Sequence, residues 1–264
     1  MPTKRRTHSP QLDRWALLFG GAILVYLLGG TLSERASTTL SEAFSCQDNP
    51  KQCAYAALLC DDELLPALRV LLYSLTATGT AYSTVVLVLP TVSDAARAQI
   101  GSLGAEVRQI GQLEYPFEGK VKFEAGINKQ CRYSKLHLWS ETSYKKMVYL
   151  DVDTAVQANI DELFDLDVWF AGVRDLGDVI NTGVMVIKPS ATIFEDMMEN
   201  YLEAPSYNRG DQGFLNWYFT NRTQYGIETI KPIYNVPGKL KGFAIGKGLI
   251  ANGKVHHFTA ETKP

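Results

Sequence analysis

Residues 145–156 read KKMVYLDVDTAV. Met147 to Leu150 is an apolar run with the composition of a buried strand, and it leads straight into Asp151-Val152-Asp153. In open α/β sheets ligands bind beyond the carboxyl ends of the strands. Two carboxylates two positions apart at such an exit can converge on one hard divalent cation, and oxygen ligands suit Mg²⁺ or Mn²⁺. A metal there could bind a diphosphate and stabilise the charge it gains as a leaving group. Asp-x-Asp is a short pattern, and a second copy, Asp165-Leu166-Asp167, ends the helix-like stretch IDELFDLD with no strand before it. That copy reads as solvated surface or a helix cap. Spacing alone leaves the first copy open to the same bland reading, and only its strand context separates the two.

Around this strand the chain alternates strand and helix. CAYAALL (53–59) and TVVLVLP (84–90) read as strands, Leu64 to Leu75 as a helix that tolerates Pro66 in its first turn, and Ser93 to Leu103 as a capped helix. AEVRQI (105–110) follows as a strand and Tyr133 to Glu141 as a helix. Beyond the acidic pair come strands WFAGV (169–173) and GVMVIKP (183–189), helices near Ser190 to Tyr201 and Asp211 to Phe219, and a last strand around Val255 to Phe258. The succession predicts an α/β fold: a Rossmann-like, mostly parallel sheet with helices on both faces.

The chain has 264 residues, with 26 Lys plus Arg against 28 Asp plus Glu, a net charge of −2. That balance excludes a basic nucleic-acid footprint, so no nucleic-acid partner is expected. Hydrophobic residues at 46% and charged residues at 20% exclude a disordered chain. Trp15 to Leu32 is an uncharged run of 18, preceded by Lys4, Arg5, Arg6 and Arg14. Its length is just enough to cross a bilayer, and its flanking charge favours a cytosolic N-terminus. Small residues after the run leave a cleaved signal peptide as the alternative. The expected organisation is a cytosolic tail (1–14), a transmembrane signal anchor (15–32), a Ser/Thr-rich stem (33–52) and one lumenal domain (53–264), a layout that suits the Golgi membrane. Of four cysteines, Cys46 and Cys53 flank a short loop and close most easily, whereas Cys60 reads almost as readily as a free thiol.

Other polar stretches bear on the acidic pair. Asn181-Thr182-Gly183 presents an amide and a hydroxyl at an expected turn, Gly210-Asp211-Gln212-Gly213 opens a helix, and His256-His257-Phe258 ends the last strand shortly before Lys263-Pro264. A His after a strand, near a Lys, could complete a metal and phosphate site.

Together RYSKLHLW (132–139), YKKMVYLDVDTAVQANIDELF (144–164), NTGVMVIKPS (181–190), PSYNRGDQGFLN (205–216), PIYNV (232–236) and VHHFTAETKP (255–264) resemble, in order, the retaining glycosyltransferases of family 8, the glycogenin-like group. The resemblance implies a GT-A fold, a UDP-sugar donor and Mn²⁺, with Mg²⁺ as the alternative ion. By position, Asp151, Asp153 and His257 resemble the metal ligands. Lys263 resembles the Lys that contacts the diphosphate, and Lys135 a basic residue facing the donor. Asn181 and Thr182 resemble an Asn-Ser pair near the donor sugar, joined by Asp175 at a shorter spacing than in glycogenin. Asp211 and Gln212 resemble the pair at the reacting face, Asp211 being the candidate nucleophile of a double displacement or a positioning group in attack from the leaving-group face. Leu58 and Asp61 fall where the family holds uracil and ribose. Val152 and Ala260 also fall at donor positions, where the family has Ala and Gly, and Asn208 replaces a glycogenin Asp.

No Tyr lies between Tyr234 and Pro264, so self-glucosylation at glycogenin's site is excluded. The layout looks closest to plant- and algal-type lumenal glucuronosyltransferases. The implied activity is transfer of a hexose or hexuronic acid to a glycan or glycolipid acceptor, with a homodimer left open. The alternatives are a silent nucleotide-sugar- or glycan-binding relative, a nucleotide-sugar hydrolase and, within the family, a glycogenin-like glucosyltransferase.

Overall fold

A computed structural model describes residues 46–118, 130–175, 177–238 and 244–259. The expected membrane segment (15–32), the tail before it and most of the stem lie outside the described residues, as do Ala260 and Lys263. Among the described residues no helix is long and apolar enough to cross a membrane.

Strand β1 (Cys53–Leu59) is buried along its whole length, as a central strand with both faces covered must be. It pairs in parallel with β2 (Ser83–Val88) on one side and β4 (Lys146–Leu150) on the other. Beyond β2 lies β3 (Glu106–Gln109), also parallel. Beyond β4 lies β7 (Ile180–Ile187), antiparallel to β4 and to β6 (Phe170–Arg174), and β8 (Glu228–Ile230) closes the edge in parallel with β6. The sheet order is β3-β2-β1-β4-β7-β6-β8. A second sheet, in the order β5-β10-β9, joins β5 (Thr154–Val156), β9 (Val236–Pro237) and β10 (Val255–His257).

The two faces of β1 feed two cores. Tyr55, Ala57 and Leu59 pack with α1 (Leu65–Ala77) and α2 (Asp94–Ser102). Ala54, Ala56 and Leu58 pack with the segment around Leu136 and Trp139, α3 (Ala191–Asn200) and α4 (Asp211–Asn221). A last helix, α5 (Ala244–Asn252), precedes β10. Ser93 Oγ accepts from Ala96 N at 3.1 Å and so caps α2, the hydroxyl role its sequence position predicts.

Two expectations are corrected, and one alternative left open is decided. Tyr133 to Glu141 is not an α-helix: Gln130–Ser140 forms consecutive 3-10 turns. Tyr133, Leu136 and Trp139 are fully buried at a spacing of three, the period of that tighter helix. Asn181 and Thr182 are not at a turn, because β7 begins at Ile180. Cys60 is not free: it bridges Cys131, and Cys46 bridges Cys53. The first of the expected bridges also moves a boundary. Cys46 is fully buried, so the folded body begins within the expected stem.

Candidate active site

The acidic pair leaves the carboxyl end of β4, as its sequence context implies. Asp151 N donates to Gly183 O at 2.8 Å across the sheet, and Tyr149 OH donates to Asp151 Oδ1 at 2.7 Å. The chain then enters β5, whose pairing with β10 sets His257 opposite Thr154. Phe258 N donates to Asp153 O at 2.9 Å and locks that register. His257 Nε2 thus lies 3.3 Å from Asp153 Oδ1 and 3.8 Å from Asp151 Oδ2, with the ring 5% exposed. One ligand atom from each of the three residues falls within 4.8 Å of the others. Two carboxylates and an imidazole form a donor set that fits a divalent cation. A Cβ on Gly183 would come within 2.2 Å of His257 Cε1, so only glycine lets the ring lie against β7.

Beside these groups Lys135 reaches from the 3-10 segment. Its Nζ lies 2.7 Å from Asp211 Oδ2 and 3.1 Å from Asp151 Oδ1. Thr182 Oγ1 donates to the same Asp211 oxygen at 2.7 Å. Burial pushes the Asp211 carboxyl up, but Lys135 and Thr182 more than offset this and hold it below the usual carboxylate value. Burial likewise pushes Lys135 down, and the carboxylates of Asp151 and Asp211 reverse it, leaving the ammonium above its ordinary value. Both groups are therefore ionised at neutral pH. Lys135 was expected to face a donor. It does line the cavity, with its charge shared between two carboxylates.

Asp211 is the first residue of α4, where the helix dipole favours an acid. The cap of that helix comes from Asn208, whose Oδ1 accepts from Gly210 N and Gly213 N, each at 3.0 Å. Asn216 then ties α4 to β7: its Oδ1 accepts from Ile180 N at 2.8 Å and its Nδ2 donates to Ile180 O at 2.9 Å. Gln212 Nε2 donates to Asp175 Oδ2 at 3.3 Å and to Tyr207 OH. Asp175 Oδ2 also accepts from Asn181 Nδ2 at 3.1 Å. Asn181, Thr182, Asp175, Asp211 and Gln212 are thus joined, although they come from two separate stretches of sequence.

A cavity of about 320 Å³ collects most of the expected positions, with Leu58 and Val152 beside Lys135, Asp151, Asn181 and His257 in its wall. Asp61 does not line it. Its carboxylate accepts from Glu63 N at 3.0 Å and caps the turn that leads into α1. Asp175 lines a smaller neighbouring cavity of about 40 Å³ behind Asn181. Four contributors were missed from sequence: Tyr149, Gly183, Arg132 in the cavity wall, and Asn235, whose Oδ1 lies 2.9 Å from His257 Nδ1. Asn235 stands in PIYNV, and a polar residue there between apolar neighbours was the available signal.

The family model for glycosyl transferase family 8 matches residues 55–264. Inositol phosphorylceramide glucuronosyltransferase 1 of Arabidopsis thaliana is 37% identical over an alignment 243 residues long that covers 84% of this chain and 44% of that protein. UDP-glucuronate:xylan alpha-glucuronosyltransferase 1 of the same plant is 34% identical over 173 residues, 65% of this chain and 25% of that protein. Glycogenin-1 of Oryctolagus cuniculus is 33% identical over 219 residues, 80% of this chain and 65% of that protein. The chain spans less than half the length of these plant relatives. Among solved structures, the galactosyltransferase LgtC in complex with donor and acceptor sugar analogs matches with a TM-score of 0.58 at 20% identity, over 80% of this chain and 88% of that one. That likeness supports the GT-A-type α/β fold. With a strand-end acidic pair, its distant histidine and a family match over most of its length, the chain belongs to glycosyltransferase family 8.

Proposed function

We propose that the chain is a retaining, Mn²⁺-dependent transferase that moves a hexuronic acid or hexose from a UDP-sugar to a glycan or glycolipid acceptor. One observation carries the reading. Asp151, Asp153 and His257 converge within 4.8 Å at the wall of a cavity of about 320 Å³, a size that suits a small-molecule ligand. These three residues would hold the ion. When bound, Mn²⁺ supplies positive charge to the two phosphates and stabilises UDP as a leaving group. By its resemblance to the family's diphosphate-contacting Lys, Lys263 would add a second positive charge.

Buried Leu58 and Val152 offer an apolar wall for the base. Asn181 and Gln212 present amides that orient sugar hydroxyls, and Asp175 holds both amides in place. The ionised Asp211 stabilises positive charge at the anomeric carbon. Bonds from Lys135 and Thr182 to its Oδ2 weaken it as a nucleophile, which favours attack from the leaving-group face over a covalent intermediate.

Arg132 gives a reason to place a hexuronic acid ahead of a neutral hexose. It lines the cavity and makes no ion pair or hydrogen bond with the described residues, although its charge acts on the Asp211 carboxylate, and its guanidinium suits a sugar carboxylate. The plant relatives named above are glucuronosyltransferases.

The two disulfides use all four cysteines of the chain and favour an oxidising lumen. With residues 15–32 as anchor, the proposed location is the Golgi membrane, the domain facing the lumen.

A donor screen on the full-length chain tests the activity: UDP release and glycoside formation with each UDP-sugar, with and without Mn²⁺. UDP-glucuronate is expected to be the best donor. Arg132→Met should lower its turnover about 10–100-fold more than that of UDP-glucose, the loss expected for one charge-assisted pair. UDP release with no new glycoside from any acceptor would instead identify a hydrolase.

A further inference from the structure

Asn235 lies between the 3-10 turn Pro232–Tyr234 and β9, and is 4% exposed. Both ends of its amide are used. Nδ2 donates to Asn181 Oδ1 at 2.8 Å, and Oδ1 lies 2.9 Å from His257 Nδ1. The orientation of each amide follows from its other partners. Asn181 Oδ1 also accepts from Gly183 N at 2.9 Å, and Asn181 Nδ2 donates to the Asp175 carboxylate at 3.1 Å. Asn181 therefore turns its oxygen toward Asn235, which must answer with its nitrogen and turn its own oxygen to His257. A carbonyl oxygen only accepts, so His257 Nδ1 carries the hydrogen and Nε2 keeps its lone pair. Nε2 is the atom that faces Asp153 and Asp151.

We propose that Asn235 is a positioning residue for the divalent cation: it fixes the tautomer and the angle of His257, and through Asn181 it links that ring to the Asp175–Gln212 pair. The proposal rests on the metal reading above. An outer partner of a metal-binding His orients the ring and raises its strength as a ligand, and losing such a partner typically costs 10–100-fold in affinity. The relay joins the turn before β9 to β10 and β7, so the imidazole is set from three separate points of the chain.

The test uses the full-length chain. With ¹⁵N-labelled histidine and no metal, at a pH where the ring is neutral, His257 is expected to show a protonated Nδ1 and an unprotonated Nε2. Its signals are assigned by their loss in His257→Gln. The opposite tautomer overturns the proposal. Mn²⁺ affinity, followed through the spectrum of the free ion, should fall about 10–100-fold in Asn235→Ala, while Asn235→Asp, which keeps an oxygen for Nδ1–H, stays within about threefold of wild type. Unchanged affinity in the alanine variant, or equal losses in both, overturns it as well. If the alanine variant does not fold, the tautomer and the aspartate variant still decide. A wild-type chain that binds no Mn²⁺ would defeat the metal reading, and the tautomer measured without metal would separately decide the relay.

Discussion

The chain carries Asp-x-Asp twice, and the structure puts the copies to opposite uses. Asp151-Val152-Asp153 turns its carboxylates toward other functional groups: Tyr149, Lys135 and His257 all reach them. Asp165-Leu166-Asp167 turns its carboxylates outward, Asp165 accepting from Gln47 Nε2 at 2.9 Å, and turns a backbone oxygen inward. Leu166 O and Phe164 O receive the ammonium of the fully buried Lys146. The spacing is identical, so spacing makes neither site. The first copy is the candidate site because β5 follows it at once and pairs with β10, which delivers His257. Among the described residues no strand pairing delivers a partner to the second copy, which begins at the last residue of a 3-10 turn.

The sharpest way to break this comparison is to disable the first copy. Asp153→Asn keeps the shape of the side chain and removes one negative charge from the proposed metal set. Turnover should fall by about 10³-fold, roughly 4 kcal/mol of transition-state stabilisation. The melting temperature without metal should move little. A steady-state assay across Mn²⁺ concentrations checks both the loss and its partial rescue by excess ion, and an unaltered rate at low Mn²⁺ would remove Asp153 from the site.

A second, smaller effect concerns how the first copy is held. Lys135 and Asp211 form a buried pair beside Asp151. Lys135→Met would leave the Asp211 charge buried with one neutral donor, at a cost of about 3–5 kcal/mol. The pH dependence follows from the two directions. In the wild-type chain Asp211 lies below its ordinary value of 3.8, so its contribution is present above that pH and fades as acid titrates the folded carboxyl. Lys135 lies above 10.5, so its contribution is lost only as the pH rises through the folded value. The pair should therefore be intact between about pH 5 and pH 9. In the variant, uncompensated burial raises Asp211, so the stability deficit should be largest at neutral pH and shrink toward pH 4. Denaturant titrations across that range measure the gap. A deficit that stays constant would mean that the pair contributes packing rather than charge.

Sequence reasoning located the strand exits because their signal is local: an apolar run, then acid. β1 and β4 occupy the expected residues, and His257 of the proposed metal set was reached through family resemblance rather than from any spacing. The amide relay was not legible. Asn235, Asn181 and His257 meet only because β9, β7 and β10 are brought together, and nothing in a linear pattern encodes that distance. The 3-10 character of the Lys135 segment was also hidden, since buried residues three apart also satisfy an α-helix. Cys60–Cys131 depended on tertiary placement in the same way: seventy-one positions separate its ends.

The smallest expected effect belongs to the second copy. Asp165→Asn with Asp167→Asn should leave turnover unaltered, because neither carboxylate lines the cavity. Stability should shift only slightly, by about 0.5 kcal/mol or less, as for most surface substitutions. The shift should still carry a sign that depends on pH. Burial pushes the Lys146 ammonium down to about 8, against the opposing pull of Asp167 and Asp165. A folded Lys that releases its proton more easily than the unfolded chain makes stability rise as the pH climbs through the window from about 8 to 10.5. Removing the two acids takes away part of what keeps the proton on. The double variant should therefore be weaker than wild type below pH 8 and converge on it above, once Lys146 is neutral in both. Thermal melts at pH 7 and pH 10 check this. A large loss of activity at either pH would mean that the outward-facing pair does chemistry after all, and the contrast with Asp151 and Asp153 would fail.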